Sequence, residues 1–386
     1  MAKVFLGDVV DHIKDKVNKD ETDLEFYVGG EHIEGREIVV RQKGLIQGST
    51  IGPAFHMRFQ KGDVLLMSRN PHLCKASMVD FDGICSDVSY VCRTKDNNIL
   101  VQSLLPFIMQ TDEFWQFAEE NKKGGLPFFL NWKDFARFEF ELIPIDQQRK
   151  ISDLLWAFER AKNAYKDLIK KTDDLVKSQF IEMFGNPATN SKGLKAEPLL
   201  RHLSVTGGFA FKSKEFRKDG GIPVLRIGNI NSGQFLKTNM VYWPYDESLK
   251  RYFCRPGDLV ISLTGTVGKG DYANICRLGN EFELYYLNQR NAKLTLNDSV
   301  LPEYMTALLS NNEIKSLLTG AGQGVRQANI SNADILNLIV PIPAIEDQQA
   351  FARLVEQSDK SKFAAKQALD NLNASQKALM NQIFGE

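Results

Sequence analysis

The chain has 386 residues, of which 43% are hydrophobic and 25% charged, and its formal net charge is +0. These values are typical of a soluble globular protein with room for two cores, and neutrality argues against indiscriminate binding of polyanions. No apolar run approaches the roughly 18 residues of a membrane helix and the start lacks a signal peptide's apolar core, so a cytoplasmic protein without membrane contact is expected. The five cysteines lack metal-binding spacing and predict buried reduced thiols.

The neutral sum hides a division between the two halves of the chain. Residues 1–141 hold about 17 Lys and Arg against 22 Asp and Glu, whereas residues 186–342 hold about 18 against 13. The first half is therefore acidic and the second basic. Any binding of nucleic acid must depend on local basic patches.

Two globular segments of similar length, 1–142 and 187–341, have the same order of predicted elements. In the first, alternating apolar residues predict strands at 63–68 and 88–92, and helical spacing predicts a helix at 104–121. In the second, the same patterns predict strands at 223–227 and 257–262 and a helix at 302–319. Both segments are thus expected to be α+β domains.

Each domain is followed by a long amphipathic segment, 143–186 or 342–386. Apolar residues at helical spacing predict one helix from about Gln147 to Phe184, roughly 55 Å long at ~1.5 Å per residue. A long helix with a narrow apolar stripe needs a partner, so the two helices are expected to form an antiparallel pair. The candidate residues for this pair and for docking of a partner protein are Leu154, Phe158, Leu168, Leu175, Phe351, Leu354, Leu369 and Leu372.

The halves also share short phrases, which indicates a tandem duplication. Residues 144–148 (PIDQQ) return in 343–349 (PAIEDQQ), and residues 62–66 (GDVLL) return in 257–261 (GDLVI). The predicted fold class is α+β, with two pseudo-repeated mixed α/β domains separated by two long antiparallel helices that form a coiled-coil-like spacer. Such a molecule presents two similar surfaces at a fixed separation.

The sequence contains no pattern of a catalytic or metal centre. The loop 262–270 lacks both the first glycine and the final Ser or Thr of a phosphate-binding P-loop, and no glycine-rich S-adenosylmethionine motif is present. The five histidines are scattered and are interpreted as surface or turn residues. We therefore expect no catalytic residue, no metal and no cofactor in this chain.

Side chains able to hydrogen-bond base edges occur in loop contexts of both domains. Arg and Lys suit guanine, and Asn and Gln suit adenine, in the major groove. A Gly/Thr-rich loop at 262–270 suits DNA phosphates or base edges, with a tight hairpin that needs glycine as the alternative. The candidates are Arg58, Arg69, Asn70, His72, Lys75, Lys212, Lys214, Arg226, Asn229, Asn231, Thr264, Thr266, Lys269, Gln289, Arg290, Gln323, Arg326, Gln327 and Asn329.

A family resemblance rests on the order and duplication of several segments. They are the Pro-to-Gln-Gln openings, the long helices with their Phe184-Gly185 and Phe384-Gly385 ends, and the segments 27–33, 62–66, 82–86, 209–214, 221–230, 257–269 and 327–331. In these the chain resembles the specificity subunit of Type I restriction-modification systems, over essentially its whole length.

The resemblance implies a non-catalytic subunit with two target-recognition domains, each of which reads one half of a split double-stranded DNA target. Because the two domains differ in sequence, the target is expected to be asymmetric. The helices would set the unread gap and dock two adenine-N6 methyltransferase subunits, with a restriction subunit as an optional further partner. S-adenosylmethionine, ATP and Mg would be bound by the partner subunits.

Two other classes of function compete with this interpretation. A stand-alone enzyme would need the methyltransferase or nuclease motifs that are missing. A protein-interaction adaptor would use the same two α+β domains to bind polypeptides and no nucleic acid.

Overall fold

The structure is a computed structural model that describes residues 2–230, 233–266, 272–318 and 327–384. The chain divides into two compact units, residues 1–167 with 365–386, and residues 168–364. Each unit therefore contains one globular domain and one half of each long helix. The division falls inside the helices, whereas the predicted domain limits lie at their ends.

The first unit is a mixed α+β structure. Its strands are β1 (Ala2–Phe5), β2 (Val10–Ile13), β3 (Phe26–Val28), β4 (Gly44–Leu45), β5 (Phe55–Phe59), β6 (Val64–Met67), β7 (Ala76–Met78), β8 (Gly83–Ser86), β9 (Ser89–Thr94) and β10 (Glu139–Leu142). Its helices are α1 (Leu6–Val9), α2 (Leu105–Ile108), α3 (Asp112–Glu120) and α4 (Trp132–Phe135), followed by the start of α5 (Ile145–Phe184).

The second unit has the same kind of composition. Its strands are β11 (Ala196–Pro198), β12 (Leu203–Gly207), β13 (Ile222–Leu225), β14 (Tyr242–Trp243), β15 (Phe253–Cys254), β16 (Leu259–Ser262), β17 (Thr264–Thr266), β18 (Ile275–Arg277), β19 (Tyr285–Leu287), β20 (Asn291–Leu296), β21 (Gln327–Asn329) and β22 (Ile339–Pro341). Its helices are α6 (Ile227–Ile230), α7 (Pro302–Ser310), α8 (Asn312–Leu318) and α9 (Asn332–Asn337), followed by the start of α10 (Ile345–Phe384).

The two units repeat one sheet topology. The order β2-β9-β6-β7 in the first unit matches β12-β20-β16-β18 in the second, and β4-β3-β8-β5 matches β14-β13-β19-β15. In each of the latter sheets one pair is parallel, β3 with β8 and β13 with β19. The predicted duplication and the predicted α+β fold are therefore confirmed at the level of strand order.

The shared Gly-Asp phrase forms the same turn before the central strand of each unit. Gly62 and Gly257 have φ angles of 93° and 89°, a left-handed conformation that favours glycine. The following carboxylates, of Asp63 and Asp258, each accept a hydrogen bond from the backbone N three residues earlier, at 2.9 Å. The phrase recurs because both turns need a residue without a Cβ and an acceptor beside it.

The helices predicted at 104–121 and 302–319 are each two helices. Thr111 interrupts the first, because its extended backbone and side-chain hydroxyl cap α3 by accepting a hydrogen bond from the Phe114 N. Asn311 interrupts the second, with a side-chain oxygen that accepts from the backbone N of Glu313 at 2.9 Å. Thr319 lies outside the described residues. Apolar periodicity alone predicts one helix in each stretch, whereas the capping side chains divide each stretch in two.

Both long helices are confirmed, each with 40 residues. In the second unit, Phe351 packs on Phe180 and Phe184, with ring centroids 5.6 Å apart, and Lys362 bonds Asp173 at 2.9 Å. Residues early in α10 thus face residues late in α5, so the pair is antiparallel, as predicted.

The pair in the first unit is held by polar side chains. The carboxylate of Glu159, 3% exposed, accepts hydrogen bonds from Lys162 at 2.7 Å and from Gln376 at 2.8 Å. Lys162 also donates to the Gln376 amide oxygen at 2.8 Å. This arrangement differs from the apolar seam expected from the sequence.

Several predicted seam residues do not line the helix pair. Leu154, Leu168 and Leu175 are exposed by 47%, 43% and 50%. Phe351 is buried, whereas Phe158, Leu354, Leu369 and Leu372 are partly buried. Leu168 and Leu175, seven residues apart in the second unit, lie on one side of α5. Of the two roles predicted for the three exposed leucines, pairing is wrong and docking stays a prediction.

The shared Gln-Gln phrase, 144–148 and 343–349, contains a glutamine that anchors each domain to its helix. Gln148, 1% exposed, accepts a hydrogen bond from the Val101 N and donates to the carbonyls of Ile99 and Ile143. Gln348 makes the equivalent three bonds, with Leu301 N and with the carbonyls of Ser299 and Pro343.

These equivalent bonds set the repeat at 200 residues. Gln148 corresponds to Gln348, and Ile143 corresponds to Pro343. Aligning the phrases by their prolines, Pro144 with Pro343, is therefore off by one residue.

Two expectations about single residue types need correction. Cys85, Cys92, Cys254 and Cys276 are free and buried, but Cys74 is only partly buried. His12 and His202 are also not surface residues, because the ring nitrogens of His12 are buried and His202 is 6% exposed.

No helix in the described part of the chain combines the length and apolar character that a membrane span requires.

Candidate nucleic-acid interface

In the first unit, four of the five candidates lie on the loop from β6 to β7, residues 68–75. Arg69 and His72 are exposed there. Asn70 adopts a left-handed conformation, φ 53°, and its Oδ1 is buried without a partner among the described residues. Lys75 donates a 2.6 Å hydrogen bond to the Gly30 carbonyl, so its ammonium supports the loop. Arg58 is exposed on β5, away from this loop in sequence.

The same loop contains a cysteine, Cys74, that is not activated. Burial is the largest influence on the Cys74 thiol and raises its pKa, although the guanidinium of Arg36 opposes the shift. Because nucleophilic cysteines require a lowered pKa, Cys74 is not a candidate catalyst.

In the second unit, backbone pairing brings four candidates to one edge. Thr264 of β17 pairs with Asn329 of β21. Leu263 N donates to the Arg290 carbonyl at 2.8 Å and the Leu263 carbonyl accepts from Ile330 N at 2.8 Å. The exposed residues at this edge are Gln289, Arg290 and Asn329, with Thr264 partly buried.

The two sets occupy equivalent positions in the repeated topology. Ser68 N donates to the Val88 carbonyl, and the Ser68 carbonyl accepts from Leu130 N, each at 2.9 Å. These are the counterparts of the two Leu263 bonds. In the first unit the bridge of Arg69 to Phe129 takes the place of the β17–β21 pair. Arg69 therefore corresponds to Thr264. The predicted interfaces of the two units occupy equivalent positions, although their side chains differ.

Two candidates of the second unit are held within the fold. Asn229 is 2% exposed, and its amide is occupied by Arg226 N, the Leu236 carbonyl and the Thr238 carbonyl. The side chain of Arg226 donates to the Asn239 carbonyl. Asn229 is therefore a structural residue that holds the segment 236–239, and the expectation that it faces a base is wrong for this conformation.

The remaining candidates are either exposed or undescribed. Lys212 and Lys214 are exposed, and Lys212 lies 3.6 Å from the Glu215 carboxylate. Asn231, Lys269, Gln323 and Arg326 lie outside the described residues, and only the backbone is described for Thr266 and Gln327. The hairpin alternative for 262–270 stays a prediction, because 264–266 pairs with 327–329 and residues 267–270 lie outside the described residues.

Sequence reasoning missed one segment beside the first-unit loop. Residues 128–130 pair with residues 68–70 through hydrogen bonds of 2.8 and 2.9 Å. The signal was the Gly124-Gly125 and Pro127 pattern of a turn.

The described residues contain no group of three or more His, Cys, Asp or Glu side chains that could hold a metal ion.

Residues 203–373 match the model of the Type I restriction modification DNA specificity domain. This range contains most of the second domain and the first part of α10. This part of the chain is therefore similar to that DNA specificity domain. The chain as a whole is similar to proteins named as specificity subunits of Type I restriction enzymes, and the resemblance predicted from the repeated phrases is confirmed.

Two named relatives are similar to this chain in sequence, and one solved structure is similar to it in fold. The Type I restriction enzyme MjaVIII specificity subunit of Methanocaldococcus jannaschii is 22% identical, over 78% of this chain and 73% of the relative. The EcoBI specificity subunit of Escherichia coli is 25% identical over 46% of this chain and 35% of that protein. The crystal structure of the S subunit from M. genitalium, 14% identical, matches the fold with a TM-score of 0.60 over 100% of this chain and 96% of its own.

The names of both relatives denote specificity subunits, which agrees with the prediction that this chain is not the catalytic component.

Proposed function

We propose that this chain is the non-catalytic DNA-recognition subunit of a Type I restriction-modification complex. Each domain reads one half of an asymmetric bipartite target in double-stranded DNA, and the long helices set the unread gap. The observation that carries the proposal is the coincidence of the candidate base-reading loops, after β6 and after β16, in a duplicated topology. Two equivalent loops on two similar domains suit two half-sites.

The difference between the equivalent loops supports an asymmetric target. Arg69 can donate two hydrogen bonds to guanine, whereas Thr264 offers one hydroxyl that suits several bases. Loop residues thus change while the supporting turns at Gly62 and Gly257 stay the same. A rigid scaffold with variable loops is the usual arrangement for recognition.

The helices provide the surface for partners. Leu154, Leu168 and Leu175 are exposed on α5, and exposed apolar side chains on a helix suit protein docking. We assign to this surface the docking of two adenine-N6 methyltransferase subunits, with a restriction subunit as a further partner. S-adenosylmethionine, ATP and Mg act in those subunits, and this chain contributes position and specificity.

The test is co-expression with the methyltransferase subunit of its own system, followed by single-molecule sequencing of methylated adenines in host DNA. Methylation confined to one gapped asymmetric motif, and lost on deletion of this chain, is the expected result. Methylation that ignores the deletion would contradict the proposal. A protein-interaction adaptor would instead show no salt-sensitive DNA binding in the reconstituted complex.

A further inference from the structure

Residues 123–129 of the first unit form a hairpin with an apolar tip. Lys123 and Phe129 exchange two backbone hydrogen bonds, 2.9 and 3.1 Å long. Leu126 at the tip is 86% exposed, the highest value for a large apolar side chain in the described part of the protein. Because a single exposed leucine is common on protein surfaces, its meaning depends on what holds it and what surrounds it.

The hairpin is anchored at both strands. The Lys123 ammonium donates to both carboxylate oxygens of Asp134, at 2.8 and 2.7 Å. Burial raises the pKa of Asp134, but hydrogen bonds from Lys123 and from the Asn131 backbone outweigh it and lower that pKa below its usual value. The ammonium of Lys122 lies 4.5 Å from the ring centroid of Phe128. Leu126 is thus presented by an ordered element, which reduces the entropy lost on binding.

The base of the hairpin is joined to the loop that carries Arg69. Asn70 N donates to the Phe128 carbonyl at 2.8 Å, and Arg69 forms an antiparallel bridge with Phe129. Side chains directly opposite in such a bridge lie on the same face. The predicted base-reading arginine and the apolar hairpin therefore belong to one structural element.

We propose that this hairpin is a DNA-contacting element of the first domain, in which Leu126 packs against a base step of the half-site that Arg69 reads. This inference rests on the proposed DNA-recognition function. Proteins that deform DNA place Leu, Phe or Pro side chains against base steps while cationic groups contact the phosphates. Here the apolar tip, Leu126 and Pro127, is accompanied by the exposed cations Arg69 and Lys133.

The size of the apolar surface favours DNA over a protein partner. Protein-docking patches usually extend over a few hundred Å². At this tip the apolar side chains are limited to Leu126, Pro127 and the 39% exposed Phe129. The neighbouring Lys122 and Lys123 are paired with the carboxylates of Glu119 and Asp134. A narrow apolar point in a segment that also exposes the cations Arg69 and Lys133 fits a groove of a polyanion.

The test uses the complex of the full chain with its methyltransferase subunit and a duplex carrying the motif found by methylation sequencing. 2-Aminopurine replaces successive bases of the half-site whose recognition changes in Arg69→Ala, but never the methylated adenine, because flipping of that base would itself alter the fluorescence. Leu126→Ser is compared with Leu45→Ser, which removes a 56% exposed leucine of the same unit on β4.

The native complex and Leu45→Ser are expected to raise the 2-aminopurine fluorescence at one base step. Leu126→Ser should lose that rise and bind the motif about tenfold more weakly, equivalent to about 1.4 kcal/mol, with unchanged non-specific binding. Native-like fluorescence and affinity in Leu126→Ser would overturn the packing of Leu126 against a base step while leaving the proposed function intact. Failure of Leu126→Ser to assemble with the methyltransferase subunit would also overturn that packing, because Leu126 would then be a contact with the partner protein. Absence of specific binding by the native complex would refute both proposals.

Discussion

At the scale of single residues, the glutamines of the repeated phrase have different roles because they differ in burial. Gln148 and Gln348 each satisfy three backbone groups where a domain meets its helix. Their neighbours Gln147 and Gln349 are exposed. The pair of glutamines in each phrase therefore contains one structural and one surface residue.

We expect Gln348→Ala to lower the free energy of unfolding by about 2–3 kcal/mol, because it leaves the Leu301 N and two carbonyls unsatisfied in a buried site. Gln349→Ala is the matched control and should stay within about 0.5 kcal/mol of the native value. Calorimetry and urea unfolding measure both. Equal stability of the two variants would show that the buried amide does not anchor the domain.

His12 provides a second prediction, for the dependence of stability on pH. Its ring lies 4.7 Å from that of Tyr90 and 5.6 Å from that of Trp132. Burial, with a smaller contribution from Lys14, lowers the pKa of His12 from 6.5 to about 4. The unfolded chain therefore binds more protons in this range, so the stability contributed by His12 is present above pH 6.5 and is lost as the pH falls towards 4.

His12→Phe should retain the aromatic contacts and remove that loss. The measurement is the free energy of unfolding between pH 4 and 6.5, in which the variant should show the shallower dependence. His72→Phe, at an exposed position, is the control and should follow the native slope. A native slope in His12→Phe would mean that other groups cause the pH dependence.

At the scale of elements, the helix pair is specified by polar residues as well as by apolar ones. Glu159, Lys162 and Gln376 form a closed network in the first unit. Buried ionic groups contribute little net stability, but they penalise alternative registers in which a charge loses its partner. The network therefore favours one register of the helix pair in the first unit.

Lys162→Met should destabilise the first unit by about 3 kcal/mol, because Glu159 would keep a buried charge with only an amide partner. The triple variant Glu159→Leu, Lys162→Met, Gln376→Leu should recover most of that loss. Denaturant unfolding compares the two. If the triple variant were less stable than Lys162→Met, the network would be a net source of stability and not a device for register.

At the scale of the whole molecule, the duplication predicts that the two halves of the target are read independently. Arg69→Ala should relax one half of the methylated motif, and Arg290→Ala the other, with a loss of about 1–3 kcal/mol in discrimination at the affected base. The gap should not change in either variant. Single-molecule sequencing of methylated adenines measures the two halves of the motif and the length of the gap. Relaxation of the same half by both variants would contradict the arrangement in which each domain reads one half.

The sequence was sufficient for the elements whose signals are periodic or repeated. The 40-residue helices, the strands at Val64–Met67 and Leu259–Ser262 and the duplicated Gly-Asp turn follow from hydrophobic spacing and from the backbone needs of glycine. These signals are local, so they can be interpreted without knowledge of the neighbours.

Only the tertiary structure decided which candidate side chains are available. Asn229 and Arg69 both appeared as base readers, yet one is buried in a loop anchor and the other is exposed beside a hairpin. The polar helix seam and the junction between residues 68–70 and 128–130 likewise became visible only in three dimensions. Exposure and hydrogen-bond partners depend on residues distant in sequence, and no local pattern records them.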